Sequence, residues 1–106
     1  MLFETYRASV DAFVAANREN VIRDIKRLVD VPSVEGPAEP GKPFGPGPAA
    51  ALAEGLAIAE EMGLATHNCE NYIGYAELPG ADAEKYLATI CHVDVVPVGN
   101  GWTADP

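Results

Sequence analysis

Residues 86–102 read YLATICHVDVVPVGNGW, and this stretch decides the fold class. Successive residues of a strand point to opposite sides, and from Tyr86 to Val93 apolar side chains fall on both. A strand that is apolar on both faces belongs inside a sheet covered on both sides. The pattern predicts an interior strand over 86–94. At its carboxyl end stand His92 and Asp94, two apart and so on one side. In open α/β sheets, ligands bind outside the carboxyl ends of the strands. A carboxylate beside an imidazole accepts one ring N–H and fixes the tautomer, which leaves the other nitrogen for a metal. Val95, Val96 and Pro97 make a rigid apolar wall beyond the pair. Gly99 and Gly101, flanking Asn100, let the chain turn sharply away. By spacing alone, a structural histidine and a metal ligand both remain open.

Working back from that strand, PGADAEK (79–85) reads as a turn, and LATHNCE (64–70) and YIGYAEL (72–78) as two further strands. Leu52, Leu56, Ala59 and Met62 fall at helical spacing. Pro48 suits the first helical position, where its missing N–H costs nothing, and Gly63 suits the stop. Before this helix, PSVEGPAEPGKPFGPGP (32–48) holds six prolines and four glycines in seventeen residues. No regular element fits that composition. Proline stiffens the segment, so it is expected to follow one path over a surface. It either lines a cleft or wraps a sheet edge. From Tyr6 to Val29 the apolar residues again follow a helical period, interrupted at NREN (17–20) and ended by Pro32. One kinked helix and two helices fit equally well. Helices followed by strands of this kind argue an α/β fold.

Hydrophobic residues make up 48% of the 106, enough for a core in one small domain or a piece of a larger one. Seven basic against sixteen acidic residues give a net charge of −9, which disfavours nucleic acid and anionic membranes as partners. No apolar run approaches the ~20 residues of a membrane span. MLFETYRASV lacks the basic start and apolar core of a signal peptide, so a cytoplasmic location is expected. There Cys69 and Cys91 are expected to be buried thiols. His67 has no motif around it and reads as an ordinary histidine.

Taken whole, HVDVVPVGNGW (92–102) resembles the metal-binding signature of metallopeptidase family 20, which includes glutamate carboxypeptidase, acetylornithine deacetylase and cytosolic dipeptidases. The family pattern is a histidine, any residue, Asp-Val-Val-Pro, then Gly-x-x-Trp or a close variant. The usual small residue before the histidine is Cys91 here. VDVPSVEG (29–36) is similar to the family's early motif. GKPFGPGPAAAL (41–52), followed by a helix and NYIGYAE (71–77), resembles the PepV- or Sapep-type dipeptidases in particular.

The resemblance covers essentially the whole chain, but only the first part of such an enzyme. It implies that residues 1–106 are the N-terminal portion of a dinuclear zinc-peptidase catalytic domain, an incomplete phosphorylase/hydrolase-like α/β fold with helices flanking a mixed sheet. The rest of that domain and the lid domain are absent. It implies that His92 is a ligand to one of two divalent ions, zinc first, with manganese or cobalt as alternatives. Asp94 is then the catalytic carboxylate that orients it. The bridging aspartate, paired glutamates, a further carboxylate and the final histidine are expected after Pro106. The implied activity is metal-dependent hydrolysis of dipeptides with a free N-terminus. A deacylase or carboxypeptidase of the same family is the alternative, and a small non-catalytic binding or assembly module is the alternative of another class. One imidazole cannot hold two dications against water, so the chain by itself is expected not to hydrolyse dipeptides. An unpaired sheet edge is expected to make it self-associate.

Overall fold

A computed structural model describes residues 2–106. Its contacts divide into two compact units, the first ending at Asp30 and the second running from Val31 to Pro106. The described elements are helices α1 (Leu2–Ala16), α2 (Arg18–Val29) and α3 (Pro46–Glu61), and strands β1 (Ala65–Cys69) and β2 (Ile73–Glu77).

In the first unit the interruption seen in the sequence resolves into two helices that meet at Asn17. The Asn17 amide donates to the carbonyls of Phe13 (3.0 Å) and Val14 (3.2 Å), and its side-chain Nδ2 donates to Phe13 at 2.9 Å. An asparagine side chain bonding its own backbone competes with helix continuation. The Asn17 carbonyl then accepts the Val21 N–H at 3.0 Å and opens α2. The apolar residues of the expected helical period fall on these two helices, and Tyr6, Phe13, Ile22, Ile25 and Val29 among them remain exposed. On the polar side of α2, Asp24 accepts bonds from Arg23 Nε (2.9 Å) and Arg27 Nη1 (3.4 Å).

The second unit is built around α3 and the hairpin. Pro46 is the first helical residue, two positions before the expected start, because Gly45 at φ +88° makes the entry bend. At the other end Gly63 takes φ +85°. Its N–H reaches the Glu60 carbonyl (2.9 Å), and the Leu64 N–H reaches Ala59 (3.1 Å). This pair of bonds is a Schellman stop. β1 and β2 then pair antiparallel with Thr66 opposite Ala76 and His67 opposite Tyr75. Glu70 (φ 53°) and Asn71 (φ 60°) turn the chain between them, and the Tyr72 N–H closes the turn on Cys69 at 3.0 Å. Two left-handed residues in succession match the twist of a hairpin.

Helix α3 packs on both strands. At Gly74 it comes so close that a Cβ would stand 2.8 Å from Leu52 Cδ1 and 3.0 Å from Leu56 Cδ2. The start of the helix is held as tightly. A Cβ on Gly47 would lie 2.4 Å from the Pro32 carbonyl oxygen and 3.1 Å from that of Val34. Ala51 (0% exposed) and Ser33 (1%) are buried here.

Two expectations are corrected. Residues 86–94 do not form an interior strand of a mixed sheet. Among the described residues the sheet has two strands, β1 and β2, and 86–94 joins neither. Leu87 and Ile90 are 99% and 97% exposed. The segment is tied in only at its end, where the Val95 N–H reaches the Ser33 carbonyl at 3.4 Å in a parallel bridge between Val34 and Val95. The physical reason is that an apolar run becomes an interior strand only when strands and helices flank it, and no element within this unit does so. The cysteines follow the same logic. Cys69 closes the exposed tip of β1 and Cys91 lies on the uncovered segment, so both thiols are free and exposed rather than buried.

Gly47→Ala forces a methyl against backbone that cannot swing aside. It is expected to destabilise the chain by about 1–3 kcal/mol in urea unfolding. Gly80→Ala, where nothing lies within 4 Å of the new carbon, is the control. A second expectation concerns acid. The hydrogen bond from Arg23, then the charge of that group and the Arg27 contacts, hold the Asp24 carboxyl below its ordinary 3.8. A lowered folded value makes a contribution that is fully present above the unfolded value and lost as pH falls through the folded one. Helicity measured by circular dichroism is expected to decline below about pH 4, and Asp24→Asn to remove that part of the decline.

Candidate functional site

The site is assembled from the segment 91–94 and the structures facing it in the second unit. His92 and Asp94 do come together. The ring Nδ1 lies 3.0 Å from the Asp94 carbonyl oxygen and 3.3 Å from its carboxylate Oδ1. Two oxygens at one ring nitrogen favour a proton there, so Nδ1–H donates and Nε2 keeps its lone pair. The pair is open to solvent, with side-chain exposures of 82% for His92 and 57% for Asp94. That is room for a ligand at Nε2.

Beside the pair runs a cleft of about 480 Å³. Cys91, His92, Val93 and Asp94 line it together with residues from three other sources: Glu35 and Phe44 of the Pro/Gly segment, Pro48 and Leu52 of α3, and Asn71, Tyr72, Ile73 and Gly74 of the hairpin. Of the two roles open to the Pro/Gly segment, it takes the first and lines a cleft. It does so as a fixed piece. Glu39 and Lys42 exchange backbone hydrogen bonds (3.0 and 2.9 Å) around Pro40-Gly41, and Gly41 at φ +73° supplies the third position of a tight turn. The Gly36 N–H donates to the Phe44 carbonyl at 3.0 Å. Asn71 Nδ2 donates to the Gly41 carbonyl at 2.8 Å, and the Phe44 and Tyr72 rings meet edge to face at 5.7 Å. These last two contacts fasten the segment to the hairpin turn.

Sequence reasoning named His92 and Asp94 but not Glu35, Phe44 or Tyr72 as their neighbours. The long proline-rich segment was a signal for Glu35 and Phe44, and the stretch NYIGYAE (71–77) one for Tyr72. His67 lies away from this group. It stacks on Tyr75 across the hairpin (centroids 4.6 Å apart) and approaches Glu77 at 3.4 Å, as an ordinary cross-strand residue does.

A divalent cation implied by the His92–Asp94 motif can be tested against these groups. An imidazole with its far nitrogen turned to a carboxylate is how a metal-ligating histidine is held, so the donors fit one arm of such a centre. Among the described residues no three His, Cys, Asp or Glu side chains gather as a fuller set.

No family profile matches the chain. Curated relatives do. A Bacillus subtilis (strain 168) protein named "Putative dipeptidase YtjP" is 40% identical over 88% of this chain. Similarly named proteins of Staphylococcus haemolyticus and Staphylococcus aureus (strain USA300) are 40% and 37% identical over 81% and 83% of it. The chain spans about a fifth of the length of these relatives: 20%, 18% and 19% respectively. Among the described residues no helix is long and apolar enough to cross a membrane.

The geometry gives a spectroscopic expectation. In nitrogen-15 spectra of the neutral imidazole, His92 should be mainly the Nδ1–H tautomer, against the usual preference for Nε2–H. Asp94→Ala, which leaves only the backbone acceptor, should shift the balance toward Nε2–H.

Proposed function

We propose that this chain is the N-terminal part of a metal-dependent dipeptidase of metallopeptidase family 20, in the PepV- or Sapep-type branch. The observation that carries the reading is the His92 ring turned through Nδ1 to Asp94, both residues lining a cleft. The names of the relatives support it, since three that match most of this chain are called dipeptidases.

In the whole enzyme His92 Nε2 would hold one of two divalent ions, zinc first, with manganese or cobalt as alternatives that suit the same donors. When bound, such ions supply Lewis-acid polarisation of the scissile carbonyl and lower the pKa of a water towards ~7. Asp94 keeps the Nδ1 proton, which fixes the ring plane and aims Nε2. The remaining ligands and the glutamate base would come from residues other than these. The Pro/Gly segment and the hairpin turn form the wall along which a dipeptide would lie. The substrate class is small peptides with a free N-terminus, and the enzyme would act in the cytoplasm.

The test uses the full-length protein that carries this segment. His92→Ala should abolish metal-dependent dipeptide hydrolysis and lower the metal content of the purified enzyme. Asp94→Ala should retain part of the metal and lose roughly 100-fold in activity, the upper end for a group that orients a ligand. Near-normal turnover by His92→Ala would sink the assignment.

A further inference from the structure

Part of the lining of the cleft beside His92 has a chemistry of its own. Phe44, Leu52, Tyr72 and Ile73 make that wall apolar, and Glu35 adds a carboxylate to it. Phe44 is 39% exposed and Tyr72 64%. Aromatic surface is left open here although both rings sit on a braced frame. The brace is the Asn71–Gly41 bond, the Gly36–Phe44 bond and the close approach of Gly45 to Gly36, where a Cβ would stand 3.1 Å from Gly36 backbone. A site held by a rigid frame binds without first having to be ordered. At about 480 Å³ the cleft lies within the range of small-molecule sites, which are mostly apolar with a few placed polar groups.

We propose that this wall is the subsite for the N-terminal residue of the dipeptide. Phe44, Tyr72, Ile73 and Leu52 take an apolar side chain. Glu35 faces the free ammonium. The complementarity is specific. An apolar side chain next to a cation is what a peptide's first residue offers when that residue is leucine-, methionine- or phenylalanine-like. A blocked amino terminus would leave the Glu35 carboxylate without a partner. The inference rests on the dipeptidase reading above and adds to it the residue class preferred at the amino end and the side chains that select it.

The experiment takes the full-length protein loaded with zinc or manganese and compares kcat/KM for Leu-Gly, Phe-Gly, Ala-Gly and N-acetyl-Leu-Gly. The variants are Phe44→Ala, Phe44→Leu, Tyr72→Leu and Glu35→Gln, with metal content and Tm measured for each. Wild type should prefer Leu-Gly and Phe-Gly to Ala-Gly. Phe44→Ala and Tyr72→Leu should erase about tenfold of that preference, mostly through KM. Phe44→Leu, which keeps the wall apolar, should recover most of it for Leu-Gly. Glu35→Gln should raise KM for the free dipeptides by roughly tenfold, the effect of losing one charged hydrogen bond, and narrow the gap to the acetylated one. Variants that fold, keep their metal and slow all four substrates equally would overturn this inference and leave the dipeptidase reading standing. A wild-type enzyme that cleaves none of the dipeptides would overturn both.

Discussion

Helix α3 lies against the hairpin because position 74 carries no side chain. Leu52 and Leu56 occupy the space where a Cβ would be, and this contact sets the distance between the helix and β2. Much else in the second unit follows from it. Leu52 and Ile73 come to line one cleft, and the hairpin turn comes within reach of the proline-rich segment. Gly47 does the same work at the start of the helix, where the backbone of Pro32 and Val34 crosses too close for any side chain. Small residues at two crossings thus fix three stretches of chain that have few buried side chains between them. Each contact is made of backbone or branched side-chain ends, and that is where a small volume change is felt most.

This economy explains how a segment with so much proline and glycine becomes a wall. Its order comes from turns whose φ angles glycine alone adopts readily, from prolines that restrict the rest, and from a few hydrogen bonds to the hairpin. None of these needs a large core. The aromatic rings of Phe44 and Tyr72 meet edge to face, which favours the pair beyond simple burial, and they still present their outer surfaces to the cleft.

The His92–Asp94 pair depends on a different constraint. The two residues are close because they are two apart in the chain, so their meeting is local and needs no tertiary support. The cleft beside them is not local. It exists because Val95 bonds to Ser33, which brings the motif alongside the loop that leads into α3. The exposure of the pair and the apolar side chains of 86–94 have one origin, a segment that touches the unit at one end.

The sequence by itself determined the elements whose signals lie in neighbouring residues. The interruption within residues 17–20, a proline entry to α3 (though two positions late), its Gly63 exit, the two hairpin strands and the meeting of His92 with Asp94 were legible, because caps, turns and i, i+2 pairs are decided within a few positions; whether 17–20 kinked one helix or parted two was not. The tertiary structure decided what depends on partners from afar. It showed that the apolar run 86–94 stands uncovered, that Cys69 and Cys91 face solvent, and that Glu35, Phe44 and Tyr72 share a cleft with the motif. A strand's own residues state that it is fit for burial, but they cannot supply the neighbours that bury it.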